Sequence, residues 1–153
     1  MSLTDQRKRL WRTAPYLERQ YHQLATRITV RDRNLIIVVD DDHGVLKGIG
    51  RLLEANGFET QLFSSAEAYK EHPEARDAAC LILDIHMPGM SGIELQRELL
   101  RSGDPVPVIF ITGDDSVATE RSVAEADCVA CIPKPCTGTA LLEAIKKAVR
   151  AKT

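Results

Sequence analysis

Five short apolar runs in this chain alternate with segments whose apolar residues recur at helical spacing. A short apolar run bounded by turn residues is typical of a strand that is covered on both faces. The alternation predicts an α/β fold, a doubly wound parallel sheet with right-handed crossovers and helices on both sides. The strands are predicted over residues 35–39, 58–63, 79–84, 106–112 and 128–132.

The segments between the runs carry helix signals. Asn56–Gly57 is predicted to end the first helix, because glycine readily adopts the left-handed conformation that closes a helix. Ser65 has capping character before the second helix, and Ser91–Gly92 opens the third. In that third helix, Leu100 is predicted to face the sheet together with Ile93, Leu95 and Leu99.

Charge divides the 153-residue chain into two parts. Residues 1–34 hold eight Lys/Arg and three Asp/Glu, whereas the remainder is acidic and the net charge is −2. We therefore expect a basic, partly helical N-terminal extension over 1–34, a domain over 35–150 and a tail over 151–153. An apolar stripe over residues 15–28 would let the extension dock on the domain, form a homodimer or meet a partner; a partly ordered tail is the alternative.

Targeting and membrane signals are sparse in the sequence. No apolar run approaches the length of a membrane span, and the N-terminus lacks a signal-peptide core. These features predict a cytoplasmic protein without a membrane partner. The basic extension has no regularly spaced aromatic residues, which disfavours nucleic-acid binding.

Polar side chains stand where the predicted strands end. Asp40 and Asp41 follow the first strand, Asp84 ends the third, Thr112 ends the fourth and Lys134 follows the fifth. The carboxyl ends of parallel strands meet at one edge of the sheet, so these side chains are expected to converge there. Three crowded carboxylates need a counter-charge, and Mg²⁺ is the simplest cation that prefers oxygen ligands.

Such an edge suits phosphoryl transfer. A carboxylate can be the attacking nucleophile, and the reaction needs mostly positioning and charge neutralisation. A phosphorylated Asp84 would carry about two negative charges, which Lys134 and the metal would offset. Taken alone, Asp84 also fits a turn residue that simply ends its strand.

These residues, in this order, resemble the receiver domain of two-component response regulators, most closely the nitrogen-fixation regulator type. The resemblance covers about residues 35–150 and implies a flavodoxin-like (βα)5 sheet with strand order 2-1-3-4-5. The matching stretches are Ile37–Asp41, Leu83–Gly92, Ile109–Gly113 and Pro133–Pro135.

The resemblance also implies a role for each acidic residue. Asp84 would accept a phosphoryl group from a sensor histidine kinase. Asp41, Asp84 and the main-chain carbonyl of His86 would bind Mg²⁺ directly, and Asp40 would reach it through water. His86 and Asp114 would either flank the phosphate and tune its hydrolysis or be solvated loop residues.

The resemblance assigns the switch positions as well, and here the chain departs from the family. Lys134 would grip the phosphate, with a cis peptide bond to Pro135, and Thr112 would respond to phosphorylation. Cys131 stands where the family usually has an aromatic residue, and Cys136 stands where it usually has Phe. We expect intact chemistry at the acidic edge and an unusual readout surface.

The four cysteines are interpreted as buried reduced thiols. A metal site is disfavoured, because no second Cys pair or His–x–His completes a tetrahedral set. These cysteines are Cys80, Cys128, Cys131 and Cys136.

Three functions remain open at this point. The first is a phospho-receiver without an attached output domain, which signals to an unknown downstream protein and is not an enzyme beyond its own phosphorylation. The second is a degenerate receiver that acts as a phosphorylation-independent interaction module. The third is a haloacid-dehalogenase-type phosphatase, which the chain order disfavours: there the nucleophile lies on the first strand and the acidic pair comes last.

Overall fold

The computed structural model describes residues 32–72, 77–103 and 105–150. Within these ranges, five strands form one parallel sheet in the order β2-β1-β3-β4-β5. The predicted doubly wound α/β fold and its strand order are therefore confirmed. The helix expected within residues 15–28 and the tail over 151–153 lie outside the described residues. The strands are β1 (Asp32–Val39), β2 (Glu59–Phe63), β3 (Ala78–Asp84), β4 (Val108–Thr112) and β5 (Ala130–Pro133).

A helix follows each strand. Gly57, with a φ of 84°, follows the first helix as the sequence predicts. Among the described residues, none of the helices combines the length and apolar character that a membrane span requires. The helices are α1 (His43–Ala55), α2 (Ala66–Lys70), α3 (Gly92–Arg101), α4 (Val117–Glu125) and α5 (Gly138–Arg150).

The apolar runs are continuous because both faces of the sheet are covered. Every residue of β3 and of β4 is buried. Alternate residues of β1 enter two separate cores: Ile37 and Val39 pack with α2 and α3, whereas Ile36 and Val38 pack with α1 and α5. Each β-strand side chain points to the face opposite its neighbour, so a strand buried on both sides needs apolar residues throughout.

The element boundaries differ from the prediction at a few places. β1 begins at Asp32, three residues earlier than expected, and β5 begins at Ala130, two residues later. β4 begins at Val108, since Pro107 has no N–H to donate to a sheet ladder. Leu100 was predicted to face the sheet, but it lies in the last turn of α3 and is 46% exposed.

The loop after β3 returns tightly to the end of its own strand. The N–H of Gly92, the first residue of α3, donates to the carbonyl of Ile85 at 3.1 Å. The Ser91 hydroxyl caps α3 as part of a capping box. A Cβ atom on Gly92 would collide with the carbonyl oxygen of Asp84. The close approach of helix and strand at this point therefore requires glycine.

We predict that Gly92→Ala lowers the free energy of unfolding by about 1–3 kcal/mol, since the backbone must shift to admit the methyl group. Gly48→Ala is the matched control: an added Cβ there meets nothing within 4 Å. In the interior of α1, that change should instead stabilise by about 0.5–1 kcal/mol. Urea unfolding of both variants measures the difference, and equal effects would contradict the assigned contact.

Candidate functional site

Three carboxylates converge at the carboxyl edge of the sheet. Asp40 and Asp41 follow β1, and Asp84 is the last residue of the neighbouring parallel strand β3. One oxygen from each side chain lies within 4.8 Å of the others. Asp40 is fully buried and Asp84 is 4% exposed, whereas Asp41 is exposed. The pairing of β1 with β3 is what brings these residues together.

Lys134, which follows the edge strand β5, brings a positive charge to this cluster. Its Nζ lies 2.8 Å from Asp40 Oδ2 and 3.4 Å from Asp84 Oδ2. Its main-chain N–H donates to the Thr112 carbonyl at 2.7 Å, which ties its position to the end of β4. The peptide bond from Lys134 to Pro135 is cis, as the resemblance implied.

The negative charges of the cluster outnumber the single positive charge of Lys134, and the pKa values of Asp84 and Lys134 are shifted. Burial, the charge of Asp40 and a hydrogen bond with Asp41 together raise the pKa of Asp84 from 3.8 to about 6, and burial is the largest cause. Lys134 opposes that rise. Burial lowers the pKa of Lys134, but its contacts with Asp40 and Asp84 outweigh this effect and raise it. One ammonium group thus offsets only part of the negative charge.

The donor atoms of the cluster fit a hard divalent cation. The carboxylates offer oxygen ligands only, and they carry more negative charge than Lys134 neutralises. Oxygen-only sites of this kind suit Mg²⁺ or Ca²⁺ rather than metals that prefer sulfur or imidazole. His86, whose main-chain carbonyl was expected to complete the ligand set, lies two residues after Asp84 in the loop that follows β3.

Thr112 lies at the edge of this site, at the end of β4. It is 8% exposed. Its hydroxyl accepts a hydrogen bond from the Asp114 N–H at 3.0 Å and donates to the Asp114 carbonyl at 3.3 Å. The hydroxyl is thus engaged with the main chain of the loop between β4 and α4.

His86 and Asp114, left open between two roles by the sequence, contact each other. His86 Nε2 lies 3.1 Å from Asp114 Oδ2 and 3.1 Å from the Thr119 hydroxyl. The Thr119 hydroxyl donates to Asp114 Oδ2 at 2.8 Å. Hydrogen bonds from the Ser116 main chain and then from the Thr119 and Ser116 hydroxyls lower the pKa of Asp114. The loops after β3 and β4 are therefore joined.

Sequence reasoning missed two members of this surrounding shell. Thr119 is the only buried residue of α4, and nothing in its spacing indicates a partner in another loop. Glu67, in the first turn of α2, accepts a hydrogen bond from the Met90 N–H at 2.8 Å. Met90 is 23 residues away in the loop after β3, so local patterns carry no signal for this contact.

The cysteines differ in exposure. Cys80 is buried as expected, and its burial raises the pKa of the thiol to about 12. Cys128 and Cys136 are partly buried; Cys136 lines a cavity of about 480 Å³ between α1 and the start of α5. The expectation of burial is wrong for Cys131, which is exposed because β5 is an edge strand in which Ile132 alone is buried.

Comparisons with known proteins agree on one family. The response regulator receiver domain matches residues 36–146. The response regulator protein TmoT of Ectopseudomonas mendocina is 33% identical over 135 residues, which are 88% of this chain and 61% of TmoT. The transcriptional regulatory protein FixJ of Rhizobium meliloti is 38% identical over 112 residues, 72% of this chain and 54% of FixJ. The chain spans about half the length of the curated relatives it matches.

Solved structures lead to the same conclusion. The crystal structure of FixJ-N is 36% identical with a TM-score of 0.69, and covers 76% of this chain and 93% of that chain. The response regulator StyR is also 36% identical, with a TM-score of 0.65 and coverage of 76% and 59%. Receiver domains are signalling modules that interact with histidine kinases and generally bind Mg²⁺ in an acidic pocket. The predicted family is confirmed: this chain belongs to the response regulator receiver domain family.

Proposed function

We propose that this chain is the phospho-receiver of a two-component phosphorelay, in which Asp84 accepts a phosphoryl group from a sensor histidine kinase. The observation that carries the proposal is the position of the Lys134 ammonium, 2.8 Å from Asp40 and 3.4 Å from Asp84. Lys134 offsets part of the negative charge of the carboxylate cluster and places a cation next to the acceptor Asp84. Membership of the receiver domain family supports the same proposal.

The chemistry asks little of the protein beyond position and charge. The Asp84 carboxylate attacks the phosphorus of the kinase phosphohistidine; the new P–O bond forms as the P–N bond breaks, and the imidazole leaves with a proton. Asp41, Asp84 and the His86 carbonyl would hold Mg²⁺, with Asp40 reaching it through water. When bound, Mg²⁺ supplies positive charge to the phosphoryl oxygens.

Phosphorylation changes the charge that Lys134 faces. The carboxylate of Asp84 carries one negative charge, and its phosphorylated form carries about two. Lys134 lies within reach of the Asp84 side chain before the reaction, so it need not be recruited from solvent. Because its main-chain N–H donates a hydrogen bond to the Thr112 carbonyl, a shift of Lys134 would also move the end of β4.

The readout is proposed to run through protein–protein contacts near the loop after β4. The Thr112 hydroxyl is bonded to the main chain of Asp114, and Asp114 in turn contacts Thr119 in α4. Cys131 offers no aromatic ring at the usual switch position and is exposed. We therefore assign the response to the Thr112–Asp114 connection. Residues 1–34 are proposed to form a homodimer or to contact a partner. The downstream target is proposed to be a protein rather than a nucleic acid.

We predict that acetyl phosphate with Mg²⁺ adds one phosphoryl group to the wild-type chain, and that Asp84→Asn abolishes the gain. The amide cannot form the acyl phosphate, although it has nearly the same shape. Intact-protein mass spectrometry measures the modification.

Asp115→Asn is the control, because Asp115 is an exposed aspartate in the nearby loop after β4. It should be phosphorylated like the wild type, and chelation of Mg²⁺ should stop the reaction in both. An unmodified wild-type protein would instead favour the phosphorylation-independent interaction module.

We predict that Mg²⁺ stabilises the protein more at about pH 8 than at about pH 5. The pKa of Asp84 rises from 3.8 to about 6 on folding, so the folded chain takes up a proton in that window and loses stability as pH rises through it. Above the folded pKa the repelling carboxylate is ionised, and bound Mg²⁺ relieves the repulsion.

Thermal unfolding with and without Mg²⁺ at the two pH values tests this dependence. Metal-free Asp84→Asn should be more stable than the wild type at neutral pH and should respond less to Mg²⁺. A Mg²⁺ effect of equal size at both pH values would contradict the assignment of the shifted pKa to the metal-binding group.

A further inference from the structure

The loop of residues 85–91 between β3 and α3 carries His86, whose main-chain carbonyl is the proposed third protein ligand of Mg²⁺. Its path decides where that carbonyl lies. Within the described part of the chain, three charged side chains from outside the loop reach it, and one of them, Glu94 of the α3 capping box, accepts a hydrogen bond from the Ser91 N–H at 3.0 Å. Asp114 contacts the His86 ring, and Glu67 accepts a hydrogen bond from the Met90 N–H.

The Glu67 contact is a charge-assisted hydrogen bond made by an exposed carboxylate. Its Oε1 accepts from the Met90 N–H at 2.8 Å, and a hydrogen bond to an ionised acceptor is about twice as strong as a neutral one. The same hydrogen bond is the largest cause of a lowered pKa for Glu67.

Glu67 projects from an element that is itself fixed. The Ser65 hydroxyl caps α2, and the Tyr69 ring is 3% exposed and packs edge-on against Phe63, with 5.6 Å between ring centroids. Lys70 Nζ lies 2.6 Å from Glu98 Oε2 and links α2 to α3. The backbone that carries Glu67 is therefore anchored on both sides, while the Glu67 side chain itself is exposed.

A second observation shows how closely the carboxylate fits the loop. Gly89 adopts a φ of 76°, and a Cβ atom there would lie 2.7 Å from Glu67 Oε1. The turn thus packs its bare α-carbon against the Glu67 side chain. Both contacts involve Oε1, and they place Glu67 against the turn that follows His86.

We propose that Glu67 is a positioning residue for the metal-binding loop. By holding the Met90 N–H, it restricts the path of residues 85–91 and so keeps the His86 carbonyl in place for Mg²⁺. The proposal rests on the proposed function only in taking that carbonyl as a ligand. Without the carboxylate, the loop samples other paths and Mg²⁺ loses affinity, although Asp41 and Asp84 remain.

Isothermal titration calorimetry of Mg²⁺ binding to the full chain tests the proposal. Glu67→Ala should raise the Kd for Mg²⁺ about tenfold, the lower end of what is typical for groups that orient metal ligands. Glu67→Gln should lie between, because its amide oxygen still accepts a hydrogen bond but carries no charge. Glu71→Ala removes the same charge from an exposed residue at the end of α2 and should leave the Kd unchanged.

Phosphorylation by acetyl phosphate gives a second readout. In Glu67→Ala, the Mg²⁺ concentration for half-maximal rate should rise by the same factor, and the rate should recover towards that of the wild type at saturating Mg²⁺. A Glu67→Ala protein with wild-type Mg²⁺ affinity would overturn the proposal, as would an equal loss in Glu71→Ala, which would indicate a general charge effect.

The outcomes separate this proposal from the proposed function. A wild type that binds Mg²⁺ but is not phosphorylated would end the phospho-receiver assignment, while calorimetry would still decide the role of Glu67. A phosphorylated wild type with unchanged Mg²⁺ affinity in both Glu67 variants would retain the function and overturn the positioning role. Absence of Mg²⁺ binding in the wild type would overturn both.

Discussion

Repulsion among the carboxylates of Asp40, Asp41 and Asp84 dominates the electrostatics of this site. One oxygen from each lies within 4.8 Å of the others, and two of the three side chains are almost wholly buried. Burying carboxylates together costs free energy unless a cation compensates them. Lys134 supplies part of that compensation, but burial and the charge of Asp40 still raise the pKa of Asp84 to about 6. A site with uncompensated negative charge favours the binding of a further cation.

The loops around the carboxylate cluster are held by several specific contacts. The return of α3 onto the end of β3 depends on Gly92, because a side chain there would collide with the Asp84 carbonyl. The loop after β3 is then tied on one side to Asp114 and on the other to Glu67. The Thr112 hydroxyl and carbonyl connect β4 to the loop on one side and to Lys134 on the other. These contacts connect the Asp84 site to the loop that leads to α4, which is the route assigned to the proposed readout.

Much of the fold could be predicted because its rules are local. Continuous apolar runs indicate strands buried on both faces, and helical spacing between them indicates the crossovers. Errors occurred where local pattern is a weak guide. Leu100 has the right spacing for the sheet but is 46% exposed in the last turn of its helix, and Cys131 is exposed because β5 lies at the edge of the sheet. Whether a residue is covered depends on what packs over it, and spacing alone does not contain that information.

Residue types along the chain are enough to predict the alternation of strands and helices and the order of the acidic, hydroxyl and basic residues at the strand ends. That order in turn carries the resemblance to receiver domains. These properties depend on residue type and spacing along the chain. Which polar groups touch depends on the assembled fold: Lys134 lies between Asp40 and Asp84, His86 against Asp114 and Thr119, and Glu67 on the Met90 N–H. Such contacts join residues far apart in the chain, and their geometry arises only when the sheet and its loops have assembled.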